Sequence, residues 1–112
     1  MADDEFYRFI RGPRATLRDF TSRHARGLPI RPEIGETDAD WRGISVQDNL
    51  EGARRLARRS RFGSMCAVMR IPKGGAIRAE KTHGPGHWTL WGDPQAMLDT
   101  VVDVIDVLED ET

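Results

Sequence analysis

The sequence Met65-Cys66-Ala67-Val68-Met69-Arg70-Ile71 decides the fold, because six of its seven side chains are apolar. Successive residues of a β-strand point to opposite faces of the sheet, so a strand that is apolar at odd and even positions is covered on both faces. The stretch has the length of a strand rather than that of a helix. We therefore predict a strand in the interior of a sheet, with further strands beside it.

Three more strands are predicted after this stretch. Pro and Gly residues at 72–75 form a turn, and β-favouring residues follow at 76–81, 87–91 and 101–107. The last segment, Val-Val-Asp-Val-Ile-Asp-Val, has apolar spacing that also fits a helix, but its β-branched residues favour a strand. Strands therefore dominate the second half of the chain.

Two strands are predicted in the first half, at residues 5–10 and 41–46, where aromatic and β-branched side chains are concentrated. Residues 28–40 contain two Pro, one Gly and four acidic residues without any periodicity. Such a segment predicts an exposed loop in a position to act as a lid. A second loop, rich in Gly and Pro, is predicted at residues 82–86.

Two helices are predicted between these strands. Thr16 is a typical helix N-cap, and Gly27 is a typical residue at a helix end. Asp48, followed by Glu51, has the spacing of a capping box for the second helix. A Pro at the first helical position predicts a further helical turn over residues 93–98.

The predicted order β-α-β-α-β-β-β-β indicates an α+β fold with a mainly antiparallel sheet and two helices. The 112 residues suffice for one domain, 1–112, with flexible acidic ends at residues 1–5 and 109–112. A single cysteine, Cys66, excludes an internal disulfide and a Cys-based zinc site. No stretch approaches the roughly 20 apolar residues of a membrane span. Because the acidic start is also unlike a signal peptide, we expect a cytoplasmic protein.

Charge is segregated along the chain. The formal net charge is −1, from 17 Lys and Arg against 18 Asp and Glu. Every basic residue lies within 8–81, a window with only eight acidic residues and hence a formal charge of +9. This segregation predicts either a basic face for an anionic partner or solvated acidic ends.

A Gly/Pro-rich stretch places two His and two Trp within nine residues, and it contains the first group of candidate site residues. His87 with Asp93 is a candidate acid–base pair, Trp88 a stacking platform, and His83 a further ligand contact. His83 and His87 have the spacing of metal ligands on a helix, but the intervening Gly-Pro-Gly is not helical, so no metal site is predicted. The alternative is that these side chains pack in the core and form local hydrogen bonds.

The predicted strands supply the second group. Arg8 and Arg42 are candidates for binding a phosphate or carboxylate bidentately, and Ser45 for orienting a sugar hydroxyl. The alternative is that Arg8 and Arg42 are surface strand residues and that Ser45 is a turn former. We predict a cleft that binds a nucleotide-like or other anionic small molecule, with transferase-like chemistry if it is an enzyme.

A non-enzymatic interaction module, such as an antitoxin, an immunity factor or a regulatory partner, is the alternative function. It would bind a partner protein through the arginines of residues 54–61 or through the exposed loop. Binding of nucleic acid is a weaker prediction, because no aromatic residue is interleaved with these arginines.

The order of these features resembles small bacterial ADP-ribosyltransferase-like domains of toxin and conflict systems. The resemblance spans most of residues 5–108. The motifs that carry it are Tyr7-Arg8, Phe20-Thr21-Ser22, Trp41-Arg42-Gly43-Ile44-Ser45, the Ala-containing helix at 50–57, Ile71-Pro72-Lys73-Gly74-Gly75, and Trp91-Gly92-Asp93-Pro94-Gln95-Ala96-Met97-Leu98.

The resemblance implies NAD as the cofactor, with Arg8 contacting NAD and Ser45 supporting the nicotinamide ribose. Arginine-specific members of the family use a Glu-x-Glu or Gln-x-Glu pair late in the chain, whereas this sequence has Asp93-Pro94-Gln95. Either Asp93 or a His takes the role of the glutamate, or the domain does not use NAD. The residues themselves indicate no cofactor.

Overall fold

A computed structural model describes residues 3–60 and 63–109 of the chain. In it, six strands form one antiparallel sheet in the order β4-β5-β2-β1-β3-β6. The strands are β1 (Asp4–Phe9), β2 (Ile44–Gln47), β3 (Met65–Ile71), β4 (Arg78–Lys81), β5 (His87–Trp91) and β6 (Val101–Asp106). With the helices described below, this architecture confirms the α+β prediction.

The stretch that predicted the sheet forms β3, an interior strand paired with β1 and β6. Five of its seven residues are buried, whereas Arg70 is exposed and forms an ion pair with Glu5 on β1. The final segment is a strand and not a helix, as its β-branched residues predicted.

Alternation along the strands divides the core between the two faces of the sheet. Phe6 and Ala67 pack in a larger cluster with Phe20 and Met97, whereas their neighbours Tyr7 and Cys66 belong to a smaller cluster. Successive strand residues point to opposite faces, so the two clusters lie on opposite sides of the sheet.

Three α-helices and two single 3-10 turns accompany the sheet. They are α1 (Asp38–Arg42), α2 (Leu50–Arg59) and α3 (Pro94–Leu98), with 3-10 turns at Leu17–Phe20 and Pro32–Ile34. Ala53 and Ala57 of α2 pack in the smaller cluster, whereas the first 3-10 turn and α3 contribute to the larger one. The predicted turn after Asp93 is confirmed, since its carboxylate accepts a hydrogen bond from the Ala96 amide at 3.0 Å. None of the helices in the described residues is both long and apolar enough to cross a membrane.

The helix predicted at residues 16–27 is wrong beyond its first turn. The Thr16–Asp19 capping box is present, but the 3-10 helix ends at Phe20. The Thr21 hydroxyl donates to the Leu17 carbonyl at 2.9 Å, and the Ser22 hydroxyl accepts from the Ala25 amide at 3.1 Å. Such local hydrogen bonds compete with the helical pattern, so the chain turns instead of continuing as a helix.

The strand predicted at residues 41–46 begins too early. Thr37 and Asp40 form a reciprocal capping box that starts α1, so Trp41 and Arg42 are helical and the strand begins at Ile44. The end of the predicted loop at 28–40 therefore belongs to α1. The change to a strand occurs at Gly43, which has extended backbone angles.

Two smaller expectations also change. The N-cap of α2 is Asn49, which accepts from the Gly52 amide at 2.6 Å, and not Asp48. Asp4 and Glu5, predicted to be part of a flexible end, belong to β1. Residues 1–2 and 110–112 of the predicted acidic ends lie outside the described residues.

Candidate functional site

An open cleft of about 320 Å³ lies where β1 and β2 meet the segment that connects the first 3-10 turn to α1. The register of β1 and β2 places Tyr7 opposite Gln47. The next residue, Arg8, adds a side-chain link between the strands, because its Nη1 donates to the Ser45 carbonyl at 3.0 Å. Its Nε donates to the Asp19 carbonyl at 2.8 Å, so the guanidinium also fixes the 3-10 turn.

Four arginine side chains line this arginine cleft: Arg8, Arg23, Arg26 and Arg31. Two of them share one buried carboxylate. Glu36 lies 3.2 Å from Arg23 Nε and 3.6 Å from Arg31 Nη2, and it also accepts from the Arg31 amide at 2.8 Å. These contacts tie the two ends of the segment 23–36 together and give the cleft a defined wall.

Arg26 forms no ion pair or hydrogen bond through its side chain within residues 3–60 and 63–109. Desolvation and the positive charges of Arg18, Arg11 and Arg23 lower the pKa of Arg26. Each of these charges repels the Arg26 guanidinium, so an anion bound here would relieve a repulsion that the free protein carries.

Arg8 also has a free donor. Burial lowers the pKa of Arg8 to about 10, with the charge of Asp19 opposing this shift and that of Arg26 adding to it. Arg8 therefore remains a cation at neutral pH. Its Nη2 makes no hydrogen bond in the described part of the chain, so this nitrogen keeps unused donor capacity.

A histidine–carboxylate pair also lines the cleft. His83 Nε2 lies 2.7 Å from Asp40 Oδ1, which links the loop after β4 to α1. His83 is the one non-glycine residue among those described whose φ is positive, at 54°. Partial burial opposes ionisation of Asp40, but hydrogen bonds with His83 and Thr37 outweigh it and lower the pKa of the Asp40 carboxyl.

Three of the seven predicted site residues meet at this cleft. Arg8, Ser45 and His83 all line it, although they come from two strands and a loop. Arg42 does not line it, because its Nε forms an ion pair with Asp38 at 3.0 Å and its guanidinium lies over the Trp41 ring.

The remaining three predicted residues are separated along β5 and its ends. His87 begins β5, whereas Asp93 lies beyond the end of this strand and caps α3. Five strand residues extend about 13 Å, so the structure does not bring His87 and Asp93 together as the predicted acid–base pair. His87 Nδ1 instead lies 2.9 Å from the Thr82 hydroxyl, and burial lowers the pKa of His87.

Trp88 is half-buried and has a structural role. Its ring packs on Phe6 with centroids 5.4 Å apart, and its Nε1 donates to Asp48 Oδ2 at 2.9 Å. Trp88 does not line the arginine cleft. Core packing with a local hydrogen bond therefore describes Trp88 better than stacking on a ligand.

Sequence reasoning missed Asp40 and the arginines at 23, 26 and 31. The signal for Asp40 was the spacing Thr37-x-x-Asp40, which is a capping box. The signal for the arginines was their density in a segment without periodicity. Neither signal indicates that these side chains face Arg8, because that proximity depends on the tertiary fold.

The described residues contain no group of three or more His, Cys, Asp or Glu side chains arranged to bind a metal ion. The chemistry available at the cleft is thus that of guanidinium groups, hydroxyls and one histidine–carboxylate pair. Comparisons of the chain with family models, with curated proteins and with solved structures gave no match.

Proposed function

We propose that this protein binds a small phosphate-bearing ligand of nucleotide-like character in the arginine cleft. The observation that carries the proposal is the convergence of four arginines around one concavity, with Arg26 unpaired and Arg8 retaining a free Nη2. Guanidinium groups donate in a planar fork that matches phosphate oxygens, and charge-assisted hydrogen bonds are the strong ones. No carboxylate neutralises Arg26 in the described residues, so an anion is the chemical complement of this part of the cleft.

The size and the hydroxyl groups of the cleft narrow the ligand further. Its volume of about 320 Å³ is near the lower end of ligand pockets. The phosphate and sugar of a mononucleotide fit within this volume, whereas a dinucleotide would extend far beyond the rim. Thr21, Ser22 and Ser45 line the cleft and offer hydroxyl groups to a sugar.

Transferase-like chemistry, which the resemblance implies, would use His83 and Asp40 rather than His87 and Asp93. His83 lines the cleft, and the hydrogen bond between its Nε2 and Asp40 orients the ring. A histidine oriented by a carboxylate is a common general acid or base. NAD would bind with its phosphates at the arginines and the rest of the molecule outside the cleft.

Isothermal titration calorimetry with phosphate, AMP, ADP and NAD tests the proposal. We expect binding by the wild type and about tenfold or greater weakening in Arg26→Gln, because a charge-assisted hydrogen bond is lost. Arg55→Gln is the matched control, since Arg55 is exposed on α2 and lies outside the cleft. Absence of heat with all four compounds would overturn the proposal, as would equal weakening by the two substitutions.

Binding of a partner protein through the segment between the first 3-10 turn and α1 is a second candidate function. Ile30 and Ile34 are exposed in this segment, to 37% and 64% respectively, and few large apolar residues of the described chain are so exposed. Affinity capture from cells that encode the chain tests this second function. The Ile34→Asn variant is compared with Val102→Asn on β6 as the control. Selective loss of one captured protein with Ile34→Asn supports this function, and identical recovery by both variants counts against it.

A further inference from the structure

A second, shallower depression adjoins the arginine cleft. It has a volume of about 620 Å³ and is lined by Leu17, Arg18, Thr21, Arg26 and Leu28. Thr21 and Arg26 line both depressions, so the two form one continuous surface. The first part is dominated by arginines and hydroxyls, whereas the second adds two leucine side chains. A ligand that spans Arg26 would therefore meet two different chemical environments.

The leucines of the second depression form a fixed apolar surface in contact with water. Leu17 is 47% exposed, although it lies on the same 3-10 turn as Phe20, which is buried. The Leu28 carbonyl accepts from Trp41 Nε1 at 2.8 Å, and the Trp41 ring packs edge-on against His24. These contacts attach the depression to α1 and keep it in place beside the cleft.

We infer that the second depression binds a nucleobase, with the phosphate of the same ligand at Arg8 and Arg26. The inference rests on the proposed function and identifies the ligand class as a nucleoside monophosphate. Leu17 and Leu28 supply an apolar surface for one face of the base. Arg18 supplies a planar guanidinium group, which can stack on an aromatic ring.

Contact between the base and the leucines should increase the affinity for the ligand. Removing about 55 Å² of apolar surface from water increases affinity about tenfold. AMP should therefore bind at least about tenfold more tightly than ribose 5-phosphate, which has the same phosphate and sugar but no base. Orthophosphate should bind more weakly than either.

Calorimetry with orthophosphate, ribose 5-phosphate, octyl phosphate and AMP tests the inference on wild type, Leu17→Asn and Val102→Asn. Leu17→Asn should weaken the binding of AMP toward the affinity of ribose 5-phosphate and leave the affinity for ribose 5-phosphate unchanged. Val102→Asn is the matched control, because Val102 is 52% exposed on β6 and outside both depressions. Both substitutions replace an exposed aliphatic residue, so both variants should fold.

The other outcomes each count against the inference in a distinguishable way. If ribose 5-phosphate binds but AMP binds no more tightly, or if Leu17→Asn leaves AMP unaffected, the base does not lie on the leucines and the proposed function survives. If octyl phosphate gains affinity through Leu17 and AMP does not, the depression takes an alkyl chain and not a base. If none of the four compounds binds, both the inference and the proposed function are overturned.

Discussion

Arg8 has a structural role in the sheet, and the proposed function adds a binding role in the cleft. Its hydrogen bonds to the Asp19 and Ser45 carbonyls join the 3-10 turn, β1 and β2, and its remaining nitrogen is available to a ligand. A phosphate-binding residue held in this way needs no rearrangement when the ligand arrives, which favours binding.

We therefore expect Arg8→Met to lower both stability and ligand affinity. Two charge-assisted hydrogen bonds are lost and two carbonyls lose a partner, so the free energy of unfolding should fall by about 2–4 kcal/mol. Urea denaturation followed by tryptophan fluorescence measures this change. Arg11→Met is the control, since the Arg11 side chain makes no hydrogen bond or ion pair in the described residues, and a surface change of this kind alters stability by about 0.5 kcal/mol or less. Equal effects of the two substitutions would contradict the bridging role of Arg8.

The Asp40–His83 pair makes a prediction for acid stability. The pKa of Asp40 is lower in the folded protein than the ordinary value of 3.8, so its ionised form stabilises the fold at neutral pH. This contribution is lost as the pH falls through the folded pKa. Wild type should lose free energy of unfolding relative to Asp40→Asn between about pH 5 and about pH 2. Urea titrations at several pH values measure the difference, and parallel curves for the two proteins would contradict it.

At the scale of secondary-structure elements, prediction from sequence succeeded where the determining pattern is local. The apolar run of β3, the β-branched residues of β6 and the Asp93-Pro94 start of α3 all lie within a few neighbours along the chain. It failed where side-chain hydrogen bonds decide between two local structures. The bonds of Thr21 and Ser22 end the first helix, and the Thr37–Asp40 capping box makes Trp41 helical.

The junction between α1 and β2 depends on Gly43. A Cβ at this position would lie 2.5 Å from Thr89 Cγ2 and 2.9 Å from the Leu90 carbonyl oxygen. Thr89 is buried and β-branched on an interior strand, so it cannot move aside easily.

Gly43→Ala should therefore destabilise the fold by about 1–3 kcal/mol, as overpacking does in a well-filled core. It should also weaken ligand binding, because Gly43 lies along the chain between Asp40 and Ser45, and all three residues line the cleft. Thermal unfolding and calorimetry measure the two effects. Gly12→Ala is the matched control, since a Cβ at Gly12 would meet no atom within 4 Å. A Gly43→Ala protein as stable as the control would show that the junction tolerates a side chain.

At the scale of the whole molecule, the positive charge of the described residues is found on more than one surface. The arginines of α2 lie on the side of the sheet that carries the smaller core cluster, whereas the 3-10 turn beside the cleft packs on the larger one. The basic residues of the window 8–81 that the structure describes are thus distributed over both sides of the sheet.

The sequence indicated which residue types could bind an anion but not which of them meet. Arg8 and Ser45 converge because β1 and β2 are neighbours in the sheet, and His83 joins them because its ring reaches Asp40 on α1. Strand order arises from pairings distant along the chain, so local patterns contain little information about it. His87 and Asp93 were close in sequence, yet β5 separates them.

Mapping of amide chemical shifts by NMR during titration with AMP tests the central claim most directly. If the arginine cleft binds the ligand, the perturbed amides should cluster at residues 8, 17–31, 40–45 and 83, with α2 unaffected. Arg26→Gln should require a higher AMP concentration for the same shifts. Perturbations confined to α2, or none at millimolar AMP, would contradict the claim that this cleft is a binding site for phosphate-bearing ligands.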